Sequence, residues 1–250
     1  MSGHSKWSTI KRKKGAQDAK RGALFGKLSR AITVAAREGG GDPEMNAALG
    51  LAIHKAREAN MPNDNIQRAI DKGTGAHGEA ETFERITYEG YGPGGAAVMV
   101  EVLTDNRNRA ASDVRYIFSK NGGKLGTSGS VAYLFERKGV ILVPKEGVDE
   151  DKVMELALEA GAEDVETMDR DYRVVTAPED FVAVRNSLRE AGVAFENAEI
   201  TMQPQNSVEL DPATAKQTLR LIDTLEENDD VQEVYANFDI SDEVMAEVAG

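Results

Sequence analysis

Cysteine is absent from this 250-residue chain, tryptophan occurs once, histidine three times, and long apolar runs are missing. Without a thiol there is no disulfide, no thiolate nucleophile and no Cys-based zinc site, which fits a reducing compartment. The histidines His4, His54 and His77 are widely spaced and none stands in a metal-ligand motif. Apolar runs such as Ala96 to Val100 fall far short of the roughly 20 residues that a membrane span needs, and the N-terminus lacks the apolar stretch of a signal peptide. An amphipathic, Arg-rich presequence is a nearer mimic, but the basic segment leads into a helical pattern and not into a cleavage site. A cytoplasmic location with no membrane partner is therefore expected. The 40% apolar residues suffice for one large core or two to three small ones.

Acids are nearly missing from one end only. Through Arg37 ten lysines and arginines face the single acid Asp18, a balance of +9, whereas the whole chain is −13. Residues 38 to 250 therefore carry −22. A basic arm on an acidic body attracts a polyanion locally while keeping the rest of the surface off other polyanions. The run Lys11-Arg12-Lys13-Lys14 crowds four like charges, an arrangement that phosphates relieve with release of counterions. Trp7 stands four residues before it. It is either a platform for an unpaired base or an apolar plug that pins the arm to a helix.

Periodicity divides the remainder. Leu24 or Phe25, Leu28, Ile32 and Ala35 recur at helical spacing from Ala16 to Arg37, before Gly39-Gly40-Gly41. A second helix follows Asp42-Pro43 or starts at Asn46, with Leu49, Ile53 and Ala56 as its stripe, and Asn60-Met61-Pro62 breaks it. A third carries Ile66, Ala69 and Ile70 and is expected to stop at Gly73, before a linker through Gly78. The period then changes to that of strands. Ile86 to Tyr88 and Ala97 to Leu103 read as a hairpin around Gly90 to Gly95, followed by a helix from Asn108 to Lys120, a Gly-rich loop and a strand from Val131 to Phe135. Two consecutive βαβ patterns span Val140 to Met202, with helices at Glu150 to Ala160 and Glu179 to Ala191. They point to a ferredoxin-like split sandwich. A last helix after Asp211-Pro212 and a strand from Val231 to Tyr235 would complete the first strand group to four strands and two helices. The expected fold class is multidomain α and α+β. A basic arm plus three-helix domain (1–78) precedes a discontinuous α+β domain (79–136 and 206–250), into which a ferredoxin-like α+β domain (137–205) is inserted.

Catalytic chemistry is hard to find. Gly90-Tyr91-Gly92-Pro93-Gly94-Gly95 has the G-x-G-x-x-G spacing, but a pyrophosphate site needs a helix N-terminus after it and here an apolar strand follows, so it reads as a hairpin turn. Gly122-Gly123-Lys124-Leu125-Gly126 lacks the order of a P-loop, and the acidic runs Asp149 to Asp151 and Glu226 to Asp230 read as solvated helix ends and turns. No enzyme, cofactor, metal or small-molecule substrate is expected. Thr104-Asp105-Asn106-Arg107-Asn108-Arg109 leaves a strand and opens a helix. It is either an anion site at a helix N-terminus or a plain helix cap whose arginines pair with nearby acids.

Gly3-His4-Ser5-Lys6-Trp7, Asp18-Ala19-Lys20-Arg21, Gly39 to Pro43, Asn60-Met61-Pro62, Tyr88 to Gly95, Thr104 to Arg109 and Gly129 to Phe135 together resemble the YebC/PmpR family, related to the mitochondrial translational activator of cytochrome c oxidase. The likeness covers nearly the whole chain and implies a three-domain cytoplasmic protein, α-helical first and α+β after. Members are labelled probable transcriptional regulators that bind DNA, a label rivalled by a role on the ribosome at difficult stretches such as proline runs. The residues expected to contact nucleic acid are His4, Lys6, Trp7, Lys11, Arg12, Lys13, Lys14, Lys20, Arg21, Lys27, Arg30, Arg107 and Arg109. A duplex reader should show base-reading side chains and usually a dimer, whereas Gln17, Lys20, Arg21, Lys27 and Arg30 on the first helix suit phosphates better than sequence. Residues 79–250, at −20, resist lying along a duplex, while lysines and a lone tryptophan suit irregular RNA. DNA and rRNA both stand as partners, the second with the ribosome, and a monomer is expected.

Overall fold

The computed structural model describes residues 18–76, 78, 82–168, 170–195, 197–241 and 243–245, and the chain divides into two units, 134–205 and the remainder. In the larger unit three helices come first: α1 (Asp18–Gly39), α2 (Ala47–Glu58) and α3 (Asn63–Thr74). Ile32, Ala35 and Ala36 of α1 close a core with Leu49, Ile53, Met61, Ile66 and Ile70. Residues 32 to 36 are buried without interruption, as expected of a helix covered on more than one side. Asn46 fixes the turn between α1 and α2. Its Nδ2 donates to the carbonyls of Ala35 and Gly40, both at 2.8 Å, and its Oδ1 caps α2 through the Leu49 amide.

The third helix does not stop at Gly73. It runs on to Thr74, and Gly75, at φ +72°, supplies the left-handed cap. Gly73 stands inside the helix because α1 approaches it closely: a Cβ there would lie 2.3 Å from the Thr33 carbonyl oxygen and 2.9 Å from Ala36 Cβ. The Thr33 hydroxyl also donates to the Ala69 carbonyl at 3.0 Å.

After the helices, β1 (Glu84–Tyr91) and β2 (Ala97–Thr104) form an antiparallel hairpin in register Tyr91↔Ala97 to Glu84↔Thr104. A 3-10 turn at Pro93–Gly95 joins them, with φ +71° at Gly94 and +80° at Gly95, so the Gly-rich motif is a turn. Next come α4 (Arg107–Lys120) and β3 (Lys124–Leu125). The strand expected over Val131 to Phe135 is instead a 3-10 turn at Ala132–Leu134, and the third strand is β3, paired with β1. The reason is the buried carboxylate of Glu89, 5% exposed, which accepts the amides of Gly129, Val131 and Ala132 at 2.6, 2.8 and 2.7 Å. Those amides are then unavailable to a strand ladder.

The smaller unit contains β4 (Phe135–Pro144), α5 (Glu150–Glu159), β5 (Ala162–Thr167), β6 (Asp171–Thr176), α6 (Phe181–Glu190) and β7 (Asn197–Pro204). Its sheet order β5-β6-β4-β7, antiparallel throughout, is that of a ferredoxin-like split βαβ sandwich. Val153 and Ala157 of α5 and Phe181, Val184 and Leu188 of α6 are buried.

The chain then re-enters the larger unit through β8 (Val208–Glu209), α7 (Pro212–Glu226), β9 (Val231–Ala236) and β10 (Phe238–Asp239). β9 completes the sheet β3-β1-β2-β9, and β8 pairs with β10 in parallel. Val98, Val100 and Val102 of β2 share a core with Val114 and Phe118 of α4 and with Leu219, Ile222 and Leu225 of α7.

Gly73→Ala should lower stability by about 1–3 kcal/mol, the range for overpacking against backbone, read as a lower midpoint in a denaturant melt of unchanged slope. At Glu89 burial pushes the carboxyl up, but the three amide donors outweigh it and hold the group below the ordinary value of 4.5. Its contribution is therefore present above pH 4.5 and lost as pH falls through the lower, folded value. Glu89→Gln should cost about 1–3 kcal/mol at neutral pH. That difference should shrink when both proteins are titrated into acid, and a constant difference down to pH 3 (~1.5 units below the ordinary value) would contradict the assignment.

Candidate nucleic-acid interface

Of the residues expected to meet nucleic acid, His4, Lys6, Trp7, Lys11, Arg12, Lys13 and Lys14 lie outside the described residues. Lys20 and Arg21 fall in the first turn of α1, and their side chains are likewise outside the description. The remaining four are placed, and three of them converge on the turn that joins α7 to β9.

Lys27 Nζ donates to the Glu226 carbonyl and Arg30 Nη1 to the Asp229 carbonyl. Arg30 also lies 3.2 Å from Asp230 Oδ1, with its guanidinium 5.9 Å from the centre of the Phe83 ring. Asp230 is only 5% exposed. Its other oxygen accepts Arg109 Nη2 at 2.8 Å and the Thr104 hydroxyl at 2.9 Å. Arg109 further reaches Asp105 Oδ1 at 2.7 Å. Asp230 first and Asp105 second hold the Arg109 guanidinium above its ordinary value, and Arg109 in turn holds Asp105 below the usual carboxylate range.

Local geometry explains the convergence. Asn106 caps α4 by accepting the Arg109 amide at 3.1 Å, and Thr104 Oγ1 accepts the Asn106 amide at 3.0 Å. This turns the first residues of α4 back across the end of β2, where β9 begins. Of the two readings of Thr104 to Arg109, the cap with paired arginines describes Asn106 and Arg109. Arg107 differs: its side chain is 70% exposed and meets Glu84 only at 3.8 Å. Lys27 and Arg30, expected on a nucleic-acid face, are bonded to the chain itself, because the α7–β9 turn presents them with two carbonyls and a buried carboxylate.

Asp230 is the residue of this cluster that the sequence conceals. It stands in the acidic run Glu226 to Asp230, which reads as a solvated turn, and only tertiary contact reveals that its last member is buried. The helical segment is fastened at two further points, Lys55 of α2 to Glu233 at 3.1 Å and Arg37 Nη2 of α1 to the Phe83 carbonyl at 3.2 Å. Among the described residues no cluster of three histidines, aspartates or glutamates has the form of a metal site, and no helix is long and apolar enough to cross a membrane.

Residues 5–76 match the model of the TACO1/YebC protein N-terminal domain, and residues 83–238 match that of the TACO1/YebC second and third domain. The chain belongs to the TACO1/YebC family. This TACO1/YebC chain is 76% identical over 250 residues to a probable transcriptional regulatory protein of Rubrobacter xylanophilus, with 100% of both chains covered. It is 56% identical over 249 residues to a protein of the same description from Syntrophus aciditrophicus, again over 100% of both. A crystal structure of the conserved hypothetical protein Aq1575 from Aquifex aeolicus is similar at TM-score 0.79 and 51% identity, covering 90% of this chain and 93% of that one.

Asp230→Ala should destabilise the protein by about 3 kcal/mol, the lower end for removing one partner of a buried ion pair, since both arginines keep some access to water. Arg107→Ala should stay within about 0.5 kcal/mol of the parent. Chemical denaturation of the two variants side by side checks both.

Proposed function

We propose that this protein is a non-enzymatic, nucleic-acid-binding regulator of gene expression whose first contact with DNA or RNA is its basic N-terminal segment. The observation that carries this reading is the charge division, +9 through Arg37 against −22 over the rest. Membership in the TACO1/YebC family, with relatives described as probable transcriptional regulatory proteins, supports regulation as the role. Because Lys27 and Arg30 are engaged by the α7–β9 turn, the contact falls to residues upstream of them: His4, Lys6, Trp7, Lys11 to Lys14, Lys20 and Arg21. We take 1–78, 79–136 with 206–250, and 137–205 as the three working parts, the first carrying the contact.

A second reading, a ribosome-associated factor that binds rRNA and relieves stalling at sequences such as proline runs, is favoured by the body. Residues 79–250 carry −20 and are repelled by a duplex lying alongside, yet would tolerate an arm that reaches into folded RNA while the body faces solvent or a basic protein.

Reversing Lys11 to Lys14 to glutamate should weaken nucleic-acid binding and flatten its salt dependence by about one unit of slope for each phosphate no longer neutralised. Cross-linking in living cells with separate DNase and RNase treatment then assigns the target. Reads at promoters that vanish with DNase favour the transcriptional reading, and reads on ribosomal RNA favour the second. Unchanged binding after the charge reversal would remove the arm from the proposal.

A further inference from the structure

The segments 79–136 and 206–250 hold eight lysines and arginines against twenty acids, yet the cations are not spread among the acids. Six of the eight lie on α4 and α7, and a seventh, Lys124, opens β3 just after α4. No exposed residue of either helix is acidic; their three acids, Asp113, Asp223 and Glu226, are all half-buried. The two helices lie over the same core of β2 valines. A Cβ at Gly122, two residues beyond α4, would stand 3.9 Å from Gln217 Oε1, which places the end of α4 beside the middle of α7.

Two of these seven cations are paired, Arg107 with Glu84 and Arg109 with Asp105 and Asp230, and the other five are not. Among the described residues Arg115, Lys120, Lys124, Lys216 and Arg220 are exposed and form no ion pair. In the smaller unit Lys138 binds both Glu136 and Glu163 at 2.8 Å and Arg173 binds Glu166 at 2.6 Å, while Arg137, Lys152, Arg170 and Arg189 are exposed and, among the described residues, without an ion pair. In the middle of the exposed α4 face stands Tyr116, 61% exposed, with Lys120 Nζ 5.5 Å from its ring centre. Its neighbours at helical spacing are Ser112 and Ser119, both exposed and short, with Lys120 and the half-buried Asp113. An aromatic ring flanked by unpaired cations and small side chains is what an unpaired base and its phosphates require. A duplex would demand longer donors directed at base edges, and the centre of this face offers serines.

We propose that the outward face of α4 and α7 is a second nucleic-acid surface, separate from the basic arm, that binds unpaired RNA. Arg115, Lys120, Lys124, Lys216 and Arg220 meet phosphates, and Tyr116 stacks on a base. This rests on the reading of the protein as a nucleic-acid binder, and adds a surface to it.

The test uses the full chain, an unstructured uridine-rich RNA of about 20 nucleotides, longer than a single OB-sized site, and a duplex DNA of matching length, each titrated over a range of salt. The variant R115E/K120E/K216E/R220E should lower RNA affinity at least tenfold and reduce the slope of log affinity against log salt by about 0.7 per phosphate, about 3 in all. Tyr116→Ala should weaken binding severalfold with the slope unchanged. If the fourfold variant binds as the parent does while the Lys11 to Lys14 reversal loses affinity, the second surface is overturned and the arm stands. If the parent prefers the duplex through these same four residues, the assignment to RNA is overturned. If the parent binds neither, both readings fall. A photo-cross-linking phenylalanine analogue in place of Tyr116, in otherwise unaltered protein in cells, avoids any effect of charge reversal on folding. Cross-links to RNA are expected, and cross-links to protein alone would overturn the proposal.

Discussion

A carboxylate with almost no access to water must be matched by cations and hydrogen-bond donors, and Asp230 meets that demand by drawing in three separate parts of the chain. Thr104 comes from the end of β2, Arg109 from the first turn of α4 and Arg30 from the middle of α1. The Asp230 carbonyl meanwhile accepts the Leu103 amide at 2.9 Å, so the same residue continues the ladder between β2 and β9 past its bulge. One side chain thus ties the helical segment to the sheet and sets where α4 begins. The consequence for function is a sorting of charge: Lys27 and Arg30 of α1 are committed to the fold, and the proposed contact with nucleic acid passes to the cations before them.

Glu89 applies the same constraint with different donors. Its oxygens are met by three backbone amides of the segment that leads toward the smaller unit. A carboxylate held this way dictates backbone shape, since the amides must point at one place. Tyr91 adds a second hold, its hydroxyl donating to the Ser130 carbonyl at 2.9 Å, and Gly126 leaves room where a Cβ would lie 2.5 Å from Ser130 Oγ. The Gly-rich loop after β3 is in this way organised around an internal acid.

Much of this fold was legible in the sequence where local signals suffice. The stripe of Leu28, Ile32 and Ala35, the Asn46 cap, the hairpin across Gly90 to Gly95 and the βαβ spacing of the smaller unit all express propensity and period within a few residues. Three features were not. Gly73 reads as a helix stop because glycine commonly ends helices, but here it permits the close approach of α1 at Thr33, about 40 residues earlier in the chain. Val131 to Phe135 has the composition of a strand, yet amides within it belong to Glu89. Asp230 sits among acids that look alike in sequence and differ only in burial. In each case a non-local contact overrode a correct local preference. At the candidate interface the basic arm is an expectation from charge that lies outside the described residues, whereas the destinations of Lys27, Arg30 and Arg109 depended on a turn about 120 residues or more downstream, and no local pattern carries that.

The distribution of the remaining charge bears on what such a molecule can embrace. Net charge, here −13, sets the far field, but physiological salt largely screens that field beyond a Debye length of about 8–10 Å. Inside that distance only local sign matters. Among the described residues the exposed cations without an ion pair include Arg115, Lys120, Lys216 and Arg220 on the helix layer of α4 and α7, to which the sequence adds the basic arm. A rigid duplex presents phosphates at uniform density along a line, so an acidic surface beside each cationic one is penalised wherever the line continues. A folded or single-stranded RNA bends, and its phosphates follow separated cationic patches while unpaired bases turn toward an aromatic ring. Patchiness combined with strong overall acidity is in this way the physical ground of the proposed preference for irregular polyanions over regular ones, by exclusion as much as by attraction.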